Sequence, residues 1–247
     1  DSFLVTLINH WPHPDDELTL MCNARHPGLE VIAKRLRRQC RIVGHRIRLQ
    51  WELMRRIERI PGLRRLRKPI SALLRYPFFA TYLAALRKLI AEYPADRLMV
   101  VNGGYPGGDT CRAAAIAWGR FADAPPAVHN VHNLAVAPRW WERRIENAID
   151  ARVLRLSAAI VCVSKACAQA MTKRPAIGDS EKLVHIYDGI EASPARGSPA
   201  GPGPKAALGI PATSPMCLML GTYERRKGHR FLLAAFRRVL AEVPTAH

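Results

Sequence analysis

A basic turn at 221–229, GTYERRKGH, is the clearest candidate for binding a ligand. It follows an apolar run and precedes a helical pattern, so Lys227 falls near the start of a helix. Free backbone N–H groups and the helix dipole attract anions there, and a lysine ammonium compensates phosphate charge. The turn is therefore typical of a phosphate-binding site, although a solvated basic turn would have the same composition.

Two histidines stand near the end of the apolar segment AVHNVHN (127–133). Side chains three positions apart on a strand point to opposite faces, so His129 and His132 do not form a metal-binding pair. A histidine at a strand end can donate a hydrogen bond or act as a weak acid, which makes His132 the candidate catalytic residue. A structural histidine is the competing interpretation. The six cysteines contain no Cys-x-x-Cys motif, and we expect reduced thiols, no metal site and no cofactor.

A glycine-rich segment, MVVNGGYPGGDT (99–110), joins an apolar run to a helical pattern. It contains neither a Gly-x-Gly-x-x-Gly nucleotide fingerprint nor a P-loop. It lies at the carboxyl end of a strand, where open α/β sheets bind ligands, and its glycines allow close approach to the backbone. One interpretation is a tight turn in which Asp109 or Thr110 caps the next helix. The other is the wall of a ligand cleft, formed by Asn102, Gly103, Gly104 and Asp109.

The elements that must position these residues alternate between strands and helices. Helical patterns cover 29–38, 78–93, 112–121, 138–156, 165–174 and 230–243, and a basic helical region extends to about Arg75. Strand patterns cover 3–9, 17–23, 97–102, 127–133, 158–164, 182–187 and 216–221. Several of these strands are continuous apolar runs, as expected for strands buried on both faces. The alternation predicts an α/β protein with a parallel sheet between helices.

A change of composition divides the chain. Residues 192–215 hold six prolines and four glycines, a density that disfavours packed secondary structure. We therefore expect an N-terminal α/β domain over 1–191, a linker over 192–215 and the start of a second α/β domain over 216–247. The chain begins without methionine and stops just after a helical pattern, which favours a fragment of a longer protein.

The charge is strongly basic, with 38 Lys and Arg against 20 Asp and Glu. Residues 34–75 alone contain fifteen basic and two acidic side chains, interleaved with apolar ones. Such a tract suits an anionic membrane surface or nucleic acid, and it is also typical of a solvated face. Aromatic residues are sparse and no nucleic-acid-binding motif is present, so no specific nucleic acid is expected. Without a signal peptide or a membrane-spanning run, we expect a cytoplasmic protein, peripheral on the inner membrane face if the tract binds lipid.

Four segments, in this order, resemble the retaining GT-B nucleotide-sugar glycosyltransferases, specifically glycosyltransferase group 1, family four. They are AVHNVHN (127–133), DARVLRLSAAIVCVSKACAQAM (150–171), KLVHIYDGIE (182–191) and LMLGTYERRKGHRFLLAAFRRVLAEVP (218–244). The resemblance implies two Rossmann-like domains facing across a cleft, the first binding a glycan or lipid-linked acceptor and the second a nucleotide-diphosphate sugar. It implies a hexosyltransferase that works with retention and without a metal. The alternative interpretation is a basic nucleic-acid-binding α/β protein.

The resemblance also implies roles for single residues. Lys227 would contact the donor diphosphate, supported by the turn at Gly221 and Thr222 and by Arg226. His132 would line the acceptor side near the transferred sugar.

This chain also departs from the family pattern. Many members carry arginine at the position of Thr222, so Arg225 or Arg226 would have to supply that second positive contact. Asp188 replaces the usual asparagine. The family's first strand and the Gly-rich loop after it are missing, and its Glu-x7-Glu motif would lie beyond the end of the chain. We therefore expect the chain to be inactive alone.

Overall fold

The computed structural model of the chain describes residues 2–189 and 203–247. The chain divides into two compact units, Asp1–Glu191 and Ala192–His247. All strands of the described residues belong to the first unit. No helix in the described ranges is long and apolar enough to cross a membrane.

The first unit alternates helices and strands along the chain. Its elements are α1 (Ser2–Asn9), β1 (Thr19–Asn23), α2 (Leu29–Arg35), β2 (Arg41–His45), α3 (Gln50–Glu58), a 3-10 turn (Leu63–Leu66), α4 (Arg67–Glu92), β3 (Met99–Asn102), α5 (Asp109–Trp118), β4 (Ala127–Val131), α6 (Arg143–Leu156), β5 (Ser157–Cys162), α7 (Lys165–Ala170), a 3-10 turn (Met171–Lys173) and β6 (Leu183–His185).

The strands form two parallel sheets. Strands β3, β4, β5 and β6 lie side by side in chain order, and β1 pairs with β2. The register across the larger sheet aligns Val100 with His129, His129 with Ile160 and Ile160 with Leu183. Parallel neighbours need a crossover between them, and α5, α6 and α7 supply the three crossovers. The predicted α/β class with parallel sheets is confirmed.

The core of the first unit is built on the contact between α4 and α5. Phe79, Tyr82, Leu86 and Ile90 recur at helical spacing along α4 and are all buried, so they form one apolar face. They pack against the alanine-rich face of α5, whose small side chains let the two helices approach closely. A second cluster surrounds β5 and α7, and Ile160, Cys162 and Met171 lie inside it.

The prediction of a strand over 3–9 is wrong, because Ser2–Asn9 is helix α1. Val5 and Ile8 are its buried residues, three positions apart on one face. A short apolar run is compatible with either period, and packing decides between them. The predicted strand at 17–23 is confirmed as β1, and its partner β2 lies inside the region that was predicted to be helical up to about Arg75.

Helix α4 is longer than predicted, because it runs through Pro77 rather than starting after it. A proline inside a helix has no N–H to donate to the carbonyl four residues earlier, here Leu73. The Leu73 side chain is 77% exposed, so this side of the helix faces water, which can hydrate the unpaired carbonyl. The basic residues before Pro77 and the apolar residues after it therefore belong to one rigid element.

The described part of the second unit, residues 203–247, contains two helices and a 3-10 turn: α8 (Pro204–Ala207), the turn Arg225–Lys227 and α9 (His229–Glu242). The prediction of a helix over 230–243 is confirmed. The prediction of a buried strand over 216–221 is wrong, because Leu220 is 86% exposed and the segment is not a strand. A strand needs a neighbour for its backbone hydrogen bonds, and residues 203–247 hold no other strand; the N–H of Cys217 donates to the His247 carbonyl instead.

The predicted linker over 192–215 lies partly outside the described residues. From Gly203 onward the segment contains helix α8. Its N–H groups and those just after it are hydrogen-bonded locally, for example from Ile210 to the Lys205 carbonyl, over 2.8 Å.

Candidate functional site

The carboxyl ends of the four parallel strands meet at one edge of the larger sheet, where open α/β sheets bind ligands. Four polar residues stand at or just beyond these ends: Asn102, His132, Ser164 and Asp188. Only some of them are available to a ligand. Ser164 is the N-cap of α7, and its Oγ accepts a hydrogen bond from the Cys167 N–H at 3.1 Å, so its role is structural.

His132 lies directly after β4, and its backbone N–H donates to the Asn102 carbonyl at 2.9 Å. Its imidazole ring contacts other side chains on two sides. The Phe3 ring of α1 meets it edge to face at 4.2 Å between centroids, and its Nδ1 lies 3.3 Å from Oδ2 of Asp188. Burial lowers the pKa of His132, and the neighbouring Asp188 carboxylate only partly opposes this.

The neutral imidazole of His132 therefore has a defined hydrogen-bonding pattern. With Asp188 beside it, Nδ1 carries the proton and donates, which leaves Nε2 as an acceptor; this tautomer is assigned from the hydrogen-bond partners. Nε2 is buried and has no partner among the described residues. An unfilled hydrogen-bond acceptor thus lies buried at the end of β4.

His129 lies in a different environment from His132. It is fully buried within β4, and its ring lies 5.9 Å from the Tyr105 ring. Neither ring nitrogen has a hydrogen-bond partner in the part of the chain that the structure describes. Burial, together with the charge of Arg112, lowers the pKa of His129 to about 4. His129 is therefore a core residue.

Asn102 orders the glycine-rich loop from inside rather than facing a ligand. Its side chain is buried; Nδ2 donates to the Pro106 carbonyl at 3.1 Å, and Oδ1 accepts from the Gly104 and Gly108 N–H groups. Gly107 has φ +57°, and a Cβ there would overlap the Asn102 amide oxygen. Glycine is therefore required at this position.

The two other glycines proposed for the cleft wall differ in their surroundings. A Cβ on Gly103 would meet nothing within 4 Å, so this part of the loop borders open space. A Cβ on Gly104 would lie 3.4 Å from Asn133 Cβ in the loop after β4. Gly103 is therefore the more accessible of the two.

Asp109 does not cap α5, since Gly108 is the N-cap and the helix has no side-chain capping hydrogen bond. Its carboxylate instead accepts hydrogen bonds from Arg75 of α4 at 3.1 Å and from Arg112 of α5 at 2.5 Å. Burial by itself raises the pKa of Asp109, but the two guanidiniums outweigh it and the net pKa lies below the usual value. Asp109 is thus an ionised member of a larger cluster.

This cluster joins α4, α5, α6 and the segment after α7. Arg112 donates to Glu146 at 2.9 Å and to Asp150 at 3.2 Å, and Arg174 donates to the same two carboxylates at 2.5 and 2.7 Å. All four side chains are essentially buried. The Tyr105 hydroxyl adds a hydrogen bond to Asp150 at 2.9 Å.

Pairing explains how these charges are tolerated inside the protein. Burial alone raises the pKa of Glu146, yet hydrogen bonds from Arg112 and Arg174 and the charge of Arg75 bring it below the usual value. An isolated buried charge would be very costly, whereas a paired and hydrogen-bonded one is stable. The cluster therefore fixes α5 and α6 relative to each other beneath the sheet edge.

The sequence interpretation missed this cluster. Two weak signals were present: Arg112 is the one charged residue among the small and apolar residues of CRAAAIAW, and Glu146 and Asp150 stand four positions apart on α6. Residues four apart on a helix share a face. Arg75 and Arg174 come from distant segments, and no local pattern links them to the others.

A pocket of about 840 Å³ opens beside the cluster. Its walls are α3, the first turns of α4, the loop at Pro106 and Gly107, and the loop after β4 from Val136 to Arg139. Asp109, Glu142, Glu146, Arg75 and Arg174 line its inner part. Pockets that bind small ligands have volumes of roughly 300–1,000 Å³, so this one is large enough for a sugar-sized molecule.

The basic turn of the second unit is exposed. Lys227 ends a 3-10 turn, Gly228 follows with φ +80°, and α9 begins at His229. Gly221 lies against the lysine stem, because a Cβ there would be 4.0 Å from Lys227 Cγ. Lys227 therefore lies two residues before the first residue of a 14-residue helix.

The other residues predicted for the phosphate site differ in availability. The Thr222 hydroxyl donates to Glu224 at 2.8 Å, and the Thr222 carbonyl lies 2.9 Å from His229 Nε2. Arg225 is exposed. Arg226 belongs to the 3-10 turn, but its side chain lies outside what the structure describes.

The described ranges contain no group of three or more His, Cys, Asp or Glu side chains that could hold a metal ion. All six cysteines are free thiols.

The model of a protein family described as Glycosyltransferase Family 4 matches residues 5–193, most of the chain. The matched range includes the sheet edge with His132 and Asp188, the buried cluster and the pocket, and it ends before the basic turn of the second unit. No curated protein and no solved structure matches the chain.

Proposed function

The chain belongs to glycosyltransferase family 4, and on that premise we propose that it takes part in transferring a hexosyl group from a nucleotide-diphosphate sugar to an acceptor hydroxyl with retention. The family match over residues 5–193 is the observation that carries this proposal. In the transfer, the acceptor oxygen bonds to C1 of the sugar as the bond from C1 to the diphosphate breaks. The electron pair stays on the diphosphate, which also takes up the hydroxyl proton.

We assign the acceptor side to the first unit, a Rossmann-like domain over 1–191, and the donor diphosphate to the second, which we propose is the start of a second such domain after the linker over 192–215. Lys227 supports the donor assignment, because it is exposed and lies two residues before the N-terminus of α9, where the helix dipole attracts anions. Preorganised positive charge at the leaving group lowers the barrier to bond cleavage. Gly221 leaves room beside the lysine stem.

Arg225 or Arg226 would supply the positive contact that Thr222 cannot make. Because the Thr222 hydroxyl is bonded to Glu224, we propose that the phosphates are met by Lys227 and by Arg225 or Arg226. No metal is needed in this arrangement, since fixed cations balance the diphosphate charge.

On the acceptor side, we propose that His132 Nε2 accepts a hydrogen bond from a hydroxyl of the transferred sugar. Its unfilled hydrogen bond supports this role, and Asp188 acts as a positioning residue that fixes the tautomer. Gly103 borders open space and lets the acceptor approach. Asn102 and Asp109 act indirectly, because both are engaged within the protein.

The basic tract 34–75 is proposed to hold the protein on an anionic membrane surface on the cytoplasmic side. Alongside its exposed basic side chains, the tract exposes Trp51, Ile60, Leu66 and Leu73, by 47–77%. Exposed apolar and basic side chains on one helical region are typical of helices that lie in a membrane interface. No observation in the described residues favours the nucleic-acid-binding alternative.

Isothermal titration calorimetry with UDP-, GDP- and ADP-sugars tests the donor assignment. We expect one nucleotide sugar to bind, and Lys227→Ala to weaken its binding about 10- to 100-fold, because a hydrogen bond to a charged group contributes about 1.5–3 kcal/mol. Arg238→Ala is the matched control, since it removes the same charge from the exposed far half of α9 and should leave binding within about twofold. Absence of binding to every nucleotide sugar, or equal effects of the two variants, would refute the assignment.

A further inference from the structure

The pocket of the first unit has two chemically different parts. Its inner part is lined by the carboxylates of Asp109, Glu142 and Glu146, none more than 15% exposed. Arg75 and Arg174 also reach it, but both are already bonded to these carboxylates or to Asp150. Glu146 is fully covered, so the partly exposed oxygens of Asp109 and Glu142 are the ones that can accept hydrogen bonds from hydroxyl groups.

The rim of the pocket is basic instead. Arg55, Lys68 and Arg139 line it with exposed side chains. Arg55 lies over the Trp51 ring at 4.5 Å and Arg139 over the Trp141 ring at 5.5 Å, and neither forms an ion pair with a carboxylate in the described ranges. These cations are held in place by aromatic faces while their charge stays uncompensated.

A second depression, of about 430 Å³, continues from this rim. Five residues line it. Four of them are basic (Arg64, Arg65, Arg67 and Lys68), and the fifth, Glu58, is acidic. Arg67 is paired with Glu58. No carboxylate of the described residues pairs with Arg64, Arg65 or Lys68. Glu58, Arg67 and Lys68 line both cavities, so the two adjoin.

We propose that these adjoining cavities bind a phosphate-bearing acceptor, with its hydroxyl groups toward the inner carboxylates and its phosphate in the depression at 64–68. The proposal rests on the proposed function, of which it names the acceptor class. Guanidinium groups match phosphate oxygens in geometry as well as charge. A neutral glycan would leave the three unpaired cations Arg64, Arg65 and Lys68 without a partner, and a free anion would leave the inner part of the pocket empty.

The position of the depression allows the phosphate to belong either to a lipid headgroup or to a soluble sugar phosphate. It lies in the 3-10 turn and first turn of α4, next to the exposed Leu66, and so can face a lipid headgroup. A soluble sugar phosphate would present the same group. Both sources share the chemistry proposed here.

The test compares binding of glucose 6-phosphate, glycerol 3-phosphate and inorganic phosphate with binding of glucose and glycerol, by calorimetry at fixed ionic strength. Arg65→Gln/Lys68→Gln is expected to weaken binding of the phosphate probes about 10-fold or more. The control is Arg87→Gln/Lys88→Gln, which removes the same charge from the exposed far end of α4 and should change binding by less than twofold. Circular dichroism of both variants checks that these surface substitutions leave the fold intact.

A second arm separates the two sources of phosphate. Co-sedimentation with vesicles of phosphatidylglycerol and phosphatidylcholine, against pure phosphatidylcholine, identifies a lipid headgroup if only the anionic vesicles bind and Arg65→Gln/Lys68→Gln abolishes this. The proposal is overturned if neither the phosphate probes nor the anionic vesicles bind better than their neutral counterparts. It is equally overturned if the two double variants lose binding alike, because that is the behaviour of a non-specific basic surface.

Lys227→Ala distinguishes failure of this proposal from failure of the proposed function. It should weaken nucleotide-sugar binding and leave binding of the phosphate probes unchanged, while Arg65→Gln/Lys68→Gln should do the reverse. Loss of phosphate binding in Lys227→Ala would put the phosphate at the basic turn and overturn the pocket assignment. Nucleotide-sugar binding without any phosphate-probe or vesicle binding would leave the function standing and remove the acceptor class.

Discussion

Replacing His129 by leucine is expected to make the fold less sensitive to acid. The wild-type ring is fully buried, faces Tyr105 and the charge of Arg112, and has no hydrogen-bond partner for either nitrogen. Burial lowers its pKa to about 4 in the folded protein, whereas an unfolded chain has a histidine pKa of about 6.5. Leucine has a similar volume and cannot be protonated.

The direction of this pH dependence follows from whether the folded or the unfolded state binds the proton. Above pH 6.5 His129 is neutral in both states and has no effect on the pH dependence of stability. Between pH 6.5 and 4 the unfolded chain takes up a proton that the folded chain does not, so the free energy of unfolding falls as the pH falls. Two proton-binding equilibria with these pKa values give a loss of about 2 kcal/mol between pH 7.5 and pH 5.0, and about 3 kcal/mol over the whole window.

Urea denaturation of both proteins at pH 7.5 and pH 5.0, followed by circular dichroism, measures this loss. Other histidines titrate in both proteins, so the difference between the two losses isolates His129. We expect the wild type to lose about 2 kcal/mol more than His129→Leu on going to pH 5.0. At pH 7.5 the variant should be at least as stable, because leucine leaves no buried nitrogen without a partner. Equal losses in the two proteins would show that His129 is not held neutral in the core.

Three further substitutions probe the loop, the cluster and the sheet edge. Gly107→Ala should destabilise the fold by about 1–2 kcal/mol or more, because its φ is positive and a Cβ would overlap the loop; Gly103→Ala, which meets nothing, should cost nothing measurable in the same thermal denaturation. Arg112→Met should cost about 3–5 kcal/mol, since it leaves buried carboxylates short of a partner, and a cost below 1 kcal/mol in urea would contradict the buried pairing. Asp188→Asn should lower the pKa of His132 further, because it removes the carboxylate charge that raises it; an NMR titration in which that pKa rises or stays unchanged would contradict the contact.

The parts of the fold that the sequence predicted well are those with one dominant pattern. The runs at 99–102, 127–131 and 157–162 are mostly apolar and became adjacent parallel strands. The prediction of a strand at 3–9 failed because its five apolar residues fit a helix as well as a strand, and contact with α2 decides the outcome. Strand β2 was not predicted, because the arginine and the histidine at its ends resemble the residues of the basic helix that follows.

The residues of the candidate site also fall into two groups: those whose position follows from the sequence pattern and those whose position does not. His132 and Asp188 stand at strand ends in the sequence, and parallel strands bring such ends together, so their proximity could be anticipated. Asn102 and Asp109 were predicted to line a cleft, but whether a side chain faces a ligand or its own loop depends on its hydrogen-bond partners. Those partners lie in elements that no local pattern connects to them.

By itself, the sequence determined the alternation of strands and helices, the family resemblance, the basic turn at Lys227 and the basic tract at 34–75. These are properties of neighbouring residues, which periodicity and composition record. Only the tertiary structure decided that Arg75, Arg112 and Arg174 share the carboxylates of α5 and α6, and that unpaired cations gather at 64–68 beside them. The free energy of a charge depends on burial and on partners within a few ångströms, and chain folding sets both.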